Sequence, residues 1–473
     1  MAVSAITIFL GFGRSVLLMR LLSPEQFGIV ALALFFMTLL TPFSAFGVDF
    51  ALIQSKEVRK ETLSTHFALR LGLALGVLAL GCLAAPFLRR IYADQAAVVD
   101  VFLALLSLNV LSASFSTPGT ILRREMRFGT IALLNLAASL AMTITAPLLA
   151  YFGAGLWSLV AEQAAGPLIR WIALWGLIRP WRLSLRFDTG EARSFLRFGR
   201  QVFSANILGI LLDRFDDFWT GSALGPAALG YYSRAYEMAQ YPERVLATPI
   251  THVFFSTYAA LQENREELSK AFFRSSSFLV RVGLLMAVVL LVTAPEVVLI
   301  LFGEVWLPIV PVFRLMLVYI MLDPLYVNLS YLIIGVGRPD WLTRVRLAQV
   351  GLFAVTVITF ARLWNINGVA IAANLMMLSG TLVLLVFSRR FVSFSLSRMI
   401  LWPGIATTAS IATGYVVIQA GQWASLGWMF VLKTVCTAGV YALILYLTER
   451  QIIFEHGSQI LGPLWNQVRA RMT

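Results

Sequence analysis

Charge is what this sequence lacks most. Charged residues make up 13% of its 473 positions, against roughly 25% in soluble domains. Hydrophobic residues make up 59%, more apolar surface than a soluble fold of this length can hide. Lysine is nearly missing: Lys56, Lys60, Lys270 and Lys433 are all there is, so the net charge of +13 is carried by arginine. No basic stretch is long enough to form a domain, which excludes a nucleic-acid-binding module. The two cysteines, Cys82 and Cys436, sit inside apolar runs without metal-ligand spacing, excluding a disulfide framework. His66, His252 and His456 are far apart and form no HExxH-like pair. No Walker loop is present, and Gly11-Phe12-Gly13 lacks the third glycine of a dinucleotide site. Asn328-Leu329-Ser330 fits a glycosylation pattern but falls within an apolar run. No basic region precedes Arg14, so the N-terminal run reads as a membrane helix with a short lead rather than a signal peptide.

What is present is long apolar runs. A membrane span needs roughly 20 mainly apolar residues. Windows of that kind predict fourteen helices, over 2–22, 26–50, 63–88, 94–115, 128–151, 155–178, 198–221, 227–256, 271–293, 308–333, 342–362, 366–388, 399–419 and 426–447. The expected fold class is an all-α polytopic membrane protein. Alternate loops are rich in arginine and lysine: Lys56, Arg59 and Lys60, then Arg123, Arg124 and Arg127, then the group from Arg179 to Arg200, and so on to Arg389, Arg390 and Arg398. The intervening segments 151–155, 221–227 and 419–426 carry no charge. Arg89, Arg90 and Arg362 break the alternation. Cytoplasmic loops concentrate Lys and Arg, so both termini are expected in the cytoplasm.

The chain repeats itself after about 200 residues, as many transporters do. Leu22-Ser23-Pro24-Glu25-Gln26-Phe27-Gly28 is similar to Leu224-Gly225-Pro226-Ala227-Ala228-Leu229-Gly230. Glu61-Thr62-Leu63-Ser64 is similar to Glu266-Glu267-Leu268-Ser269, Ala85-Pro86 to Ala294-Pro295, and Gly153-Ala154-Gly155 falls opposite Asn367-Gly368. The repeat implies two pseudo-symmetric six-helix lobes of like orientation, 1–178 and 198–388. The loop 179–197 joins them, and 389–473 holds two further helices and a cytoplasmic tail. A substrate is expected in the cleft between the lobes.

Ionisable groups inside spans are costly and mark functional candidates. The seventh predicted helix holds Asp213, Arg214, Asp216 and Asp217, with Asn206, Asp213 and Asp217 on one face. The eighth holds Tyr231, Tyr232, Arg234, Tyr236, Glu237, Gln240 and Tyr241. Its repeat counterpart, around Val30 to Ala45, is almost purely apolar. On the 202-residue offset of the repeat, Arg14 falls opposite Asp216. The two are expected as a pair that opens and closes across the cleft, or Arg14 as the ligand of an anionic head group, or the two as a static packing pair. A further arrangement leaves Asp216 satisfied locally by Arg214 and its neighbours. Arg234 and Glu237 stand at i,i+3 and can neutralise each other, while a paired arginine still has donors for phosphate. Arg281 and Glu162 read as local partners or snorkelling ends, and Asp49 and Asp323 as weaker candidates near helix ends.

Several of these segments resemble the Wzx-type polysaccharide exporters: Leu21 to Gly28, Phe198-Gly199-Arg200-Gln201, Ala227 to Tyr236, and Leu301 to Trp306 followed by Pro308 and Pro311. The resemblance implies a flippase of the bacterial inner membrane, in the group that also holds multidrug antiporters and lipid II flippases. It implies a V-shaped cavity and alternating access. The cargo would be undecaprenyl-diphosphate-linked oligosaccharide, carried from the cytoplasmic to the periplasmic leaflet for O-antigen, exopolysaccharide or capsule export. Arg14, Arg234, Tyr231, Tyr232, Tyr236, Gln240 and Asn206 would then face the substrate. Asp213, Arg214, Asp216, Asp217 and Glu237 would serve as coupling or gating charges on an H+ or Na+ gradient. No metal and no other cofactor are expected. Partners would be the lipid-linked oligosaccharide, the membrane, and a polysaccharide polymerase with chain-length machinery.

Three other classes compete. A cation-drug antiporter would want an acidic cavity with less arginine. A polysaccharide polymerase or ligase would want a long outer loop, which the spans leave no room for. A membrane scaffold or receptor would not need so polar an eighth helix.

Overall fold

The structure is a computed structural model that describes residues 2–55, 57–181, 186–242, 254–255, 257–420 and 425–469. The chain is an all-α polytopic membrane protein, and no strand occurs among the described residues. Its first six membrane helices are α1 (Ala2–Leu21), α2 (Pro24–Ala45), α3 (Lys60–Ile91), α4 (Ala96–Ser114), α5 (Phe128–Tyr151) and α6 (Leu156–Trp171, extended by π turns to Ile178). Then come α7 (Thr189–Trp219), α8 (Pro226–Pro242), α9 (Arg265–Leu301) and α10 (Val310–Gly335). The element Pro339–Ser388 has 50 residues, about 75 Å of helix against a hydrocarbon core of about 30 Å. It is broken at Trp364 and Asn365, where Asn365 adopts φ 51°, so it makes two spans, α11 (339–363) and α12 (366–388). The last two are α13 (Leu396–Ala420) and α14 (Leu426–Arg469), the latter kinked at Glu449. Among the described residues each of the fourteen windows overlaps a helix, and positions 243–253 of the window 227–256 lie outside the described residues.

The local chemistry explains where these helices start. Ser23 and Gln26 form a reciprocal capping box ahead of α2, with Pro24 in the first turn. Asp188 caps α7 by accepting from the amides of Gly190 and Glu191, and Asn264 caps α9 through the Glu267 amide. Many large apolar side chains point outward, such as Leu83 and Leu177. In a bilayer this is the expected finish of a helix surface. Helices there associate through close packing of small residues and through polar pairs, since lipid tails are as apolar as leucine.

Contacts divide the chain into two compact units, Met1–Ser233 and Arg234–Thr473. This division differs from the one the repeat implies, which put the boundary in the loop 179–197. The reason is α7, which runs along α2 and belongs with the first unit. Gly199 of α7 lies so close to the Phe46 carbonyl that no side chain fits between them. Phe203 stacks on Phe46 with centroids 5.0 Å apart, and Phe218 stacks on Phe35 at 5.0 Å. Elsewhere in the first unit, α1 packs along α5, α5 pairs with α6, and α3 with α4.

In the second unit α9 packs against α10, α13 and α14. Its interior is partly polar. Asn328 donates to Ser275 and Ser276 at 2.9 Å each and accepts from the Tyr258 hydroxyl at 2.9 Å. The glycosylation-like tripeptide at Asn328 is therefore a buried packing element. Tyr326 likewise donates to Gln349 at 2.9 Å.

Candidate functional site

Among the described residues, nine helical elements are long and apolar enough to cross a membrane, the broken one counting once. The four spans outside that set are α1, α6, α7 and α8. Each of them carries charged side chains, several of which are paired at short range.

In the first unit the Arg14 Nε of α1 lies 2.9 Å from the Glu162 Oε1 of α6. Both side chains keep a small exposure, 15% and 14%, so the pair is largely desolvated yet reachable. On α7, Asp216 is buried and accepts a hydrogen bond from the Tyr232 hydroxyl of α8 at 2.6 Å. The neighbouring Asp217 is bound by Arg214, Nη1 to Oδ2 at 2.9 Å. Near the same end of α7, Tyr92 and Ser222 share a 2.7 Å hydrogen bond.

The ends of α2 and α8 interlock here. Pro24 and Pro226 open these helices, four residues before Gly28 and Gly230 respectively. A Cβ on Gly28 would overlap the Pro226 carbonyl, and one on Gly230 would overlap the Pro24 carbonyl. The two copies of the repeated segment thus meet backbone to backbone, which requires glycine at both places.

The second unit begins within α8. There Arg234 is ion-paired with Glu237, and Glu237 accepts from the Tyr241 hydroxyl at 3.4 Å. The three lie at i, i+3 and i+7 on one face, each half-buried. Tyr236 meets Tyr319 of α10 edge-on, with centroids 5.7 Å apart. Gln240 and Tyr231 are also half-buried on α8. The side chains of Asn206 and Asp213 lie outside the described residues.

The expected pairing of Arg14 with Asp216 does not form. Arg14 takes Glu162 and Asp216 takes Tyr232, because α1 packs on α5 while α7 packs on α2. Arg214 is ion-paired with Asp217, the neighbour of Asp216 on the same helix. The i,i+3 pairing of Arg234 with Glu237 is present, whereas Glu162 and Arg281, read as local partners or snorkelling ends, pair across helices with Arg14 and Glu449.

Three charged constellations went unread in the sequence. Arg281 of α9 holds Glu449 of α14 with two parallel bonds of 2.7 and 2.8 Å, and Tyr441 donates to the Arg281 carbonyl at 2.9 Å. Lys433 of α14 pairs with Glu296 of α9, both buried. In the first unit Asp49 gathers His66 and Arg70, each at 3.2 Å, and accepts from Ser116. A lysine or glutamate inside an apolar run was the available signal; its partner lies 137 or 168 residues away and leaves no pattern.

Comparison with known proteins places these features in a family. The family described as "Polysaccharide biosynthesis protein" matches residues 17–311. The chain is 24% identical over 388 residues to the lipopolysaccharide biosynthesis protein WzxC of Escherichia coli (strain K12), covering 80% of this chain and 77% of that protein. It is 29% identical over 313 residues to the succinoglycan biosynthesis transport protein ExoT of Rhizobium meliloti (strain 1021), covering 66% of this chain and 62% of that one. In fold it is similar to the lipid II flippase MurJ in an inward closed conformation, with a TM-score of 0.77 at 14% identity over 96% of this chain and 99% of that one. A multidrug resistance MATE family transporter in an inward-facing conformation is similar with a TM-score of 0.59 at 16% identity, covering 81% and 94%.

Proposed function

The chain belongs to the polysaccharide biosynthesis protein family, among the Wzx-type polysaccharide flippases, and we propose that its cargo is undecaprenyl-diphosphate-linked oligosaccharide. It carries this lipid from the cytoplasmic to the periplasmic leaflet of a bacterial inner membrane by alternating access. Both termini face the cytoplasm, in line with the arginine-rich loops. The product feeds O-antigen, exopolysaccharide or capsule assembly, where a polymerase and chain-length machinery take it over.

The observation that carries this reading is the pairing of Arg14 with Glu162 and of Arg234 with Glu237 at membrane depth. A bare guanidinium there would be prohibitive. Held by a carboxylate and still partly exposed, it can exchange that carboxylate for a diphosphate, which offers the same bidentate acceptors with more charge. The displaced glutamate then becomes the proton acceptor, which links cargo binding to an ion gradient. Tyr231, Tyr236, Tyr241 and Gln240 supply aromatic faces and amide donors suited to sugars. Asp216, held by a neutral phenol, is the second acidic group on that route.

Leaflet-resolved movement of a fluorescent undecaprenyl-diphosphate oligosaccharide in proteoliposomes tests the proposal, with a lipophilic cationic drug as the rival cargo. Movement of the lipid-linked sugar and not the drug is expected. Drug extrusion without sugar movement overturns it.

A further inference from the structure

A cavity of about 300 Å³ lies inside the first unit, apart from the pairs just described. It opens beside the Ser116–Arg124 helix, on the side of the membrane marked by the arginine-rich loops. Its polar lining includes Asp49, Arg70, Ser116, Arg123, Asn135 and Arg170.

The charges there do not balance. Asp49 is the cavity's carboxylate. It is already engaged by Arg70 and Ser116, and Arg70 also donates to the Ser44 carbonyl. Asp49 and Arg70 thus neutralise each other in the cavity floor. Arg170 of α6 donates to the Asn135 amide oxygen at 3.2 Å and forms no ion pair among the described residues. Arg123, exposed at the rim, forms none either. The two arginines line the same cavity. Arginine cannot shed its proton. Two like charges facing one cavity, without a carboxylate for either, are held at a cost that a bound anion would relieve.

The rest of the lining indicates what carries the anion. Ile131, Leu134 and Leu174 supply an apolar wall beside the two arginines. A free anion has no use for such a wall, whereas a lipid presents acyl or prenyl carbon directly behind its phosphate. Both arginines stand at helix ends, Arg123 in the last turn of the Ser116–Arg124 helix and Arg170 in the last α-helical turn of α6.

We propose that this cavity is a binding site for the phosphate-bearing head group of a membrane lipid, with Arg123 and Arg170 as its two ligands. Asn135 holds Arg170 in place by accepting from it, and the Asp49–Arg70–Ser116 cluster forms a neutral floor. The site is independent of the flippase reading, because a structural phospholipid and a polyprenyl diphosphate offer the same chemistry.

The test is lipid binding to the purified full chain in neutral detergent, read by native mass spectrometry and thermal unfolding. The probes are phosphatidylglycerol, undecaprenyl diphosphate, phosphatidylcholine and inorganic diphosphate. Wild type should bind at least one of the first two more tightly than phosphatidylcholine. Arg123→Gln with Arg170→Gln should weaken that binding by about tenfold or more, the loss expected for charge-assisted hydrogen bonds. Arg170→Lys should keep most of it, and Arg90→Ala, at an exposed arginine outside the cavity, should leave it unchanged. If the double variant does not fold, Arg123→Gln alone carries the test, because its exposed side chain supports no other group; a loss of about threefold is expected. Loss with phosphatidylglycerol identifies a phospholipid site, and loss with undecaprenyl diphosphate identifies a cargo-lipid site. Unchanged binding of both lipids in the variants, or inorganic diphosphate binding as tightly as either, overturns the proposal.

Discussion

Gly28 and Gly230 are packed reciprocally, each against the carbonyl of the proline that opens the other's helix. The obstructing atoms are main chain and cannot rotate away, so a methyl group at either position forces α2 and α8 apart. Gly28→Ala and Gly230→Ala should each destabilise the protein by about 1–3 kcal/mol, the usual cost of overpacking. Gly11→Ala, which meets nothing within 4 Å, should be neutral. Thermal unfolding in detergent checks the contrast. Equal melting of all three would mean that this approach is not a fixed feature of the fold.

That contact also shows what the sequence could and could not reveal. The two segments were recognisable as copies, from Leu22–Gly28 and Leu224–Gly230, and most of the spans followed from apolar length. Even the break between α11 and α12 was marked by Asn365 and Asn367 within an apolar run. Contact between the copies was not legible, because internal similarity gives equivalence and not proximity. For the same reason the repeat offset set Arg14 against Asp216, whereas packing gives Arg14 to Glu162. One-dimensional pattern registers that a buried charge is costly. The identity of its partner depends on which helices pack together, as Arg281 and Glu449 illustrate.

The Arg281–Glu449 pair fastens α14 to α9 in a buried setting, with side-chain exposures of 9% and 3%. Glu449→Gln leaves a buried guanidinium uncompensated and should cost about 3–5 kcal/mol. Replacing both residues, Arg281→Met with Glu449→Leu, should restore much of that stability. Unfolding of the single and double variants measures the difference. A double variant as unstable as the single would contradict the assignment of the loss to an orphaned charge.

Asp216 has a neutral phenol as its direct side-chain partner. An acid placed this way inside the membrane carries its charge only at a cost, which suits a proton acceptor that fills and empties. Asp216→Asn should remove stimulation of transport by a proton gradient while leaving the fold intact. Tyr232→Phe should weaken that stimulation without abolishing it. Transport rates with and without an imposed gradient decide the matter, and full gradient response in Asp216→Asn would rule this residue out.

Exchange of a carboxylate for a diphosphate predicts opposite effects from the two halves of a pair. Glu162→Gln frees Arg14 from its ion pair, so cargo should bind more tightly, by about three- to tenfold, and turn over more slowly. Arg14→Ala should weaken cargo binding by a similar factor or more. Titration with a fluorescent lipid-linked oligosaccharide separates the two. Equal weakening by both would indicate a pair that serves packing alone.

The most direct measurement is the flipping rate of undecaprenyl-diphosphate-linked oligosaccharide in proteoliposomes, comparing wild type with Arg14→Ala and Arg234→Ala. Reconstitution yield and orientation must be matched. The account predicts rapid transfer between leaflets by wild type and loss of at least about 90% of the rate in each variant, tenfold being the scale of one lost charge-assisted contact. Wild-type rates in both variants, with the protein inserted and folded, would contradict it.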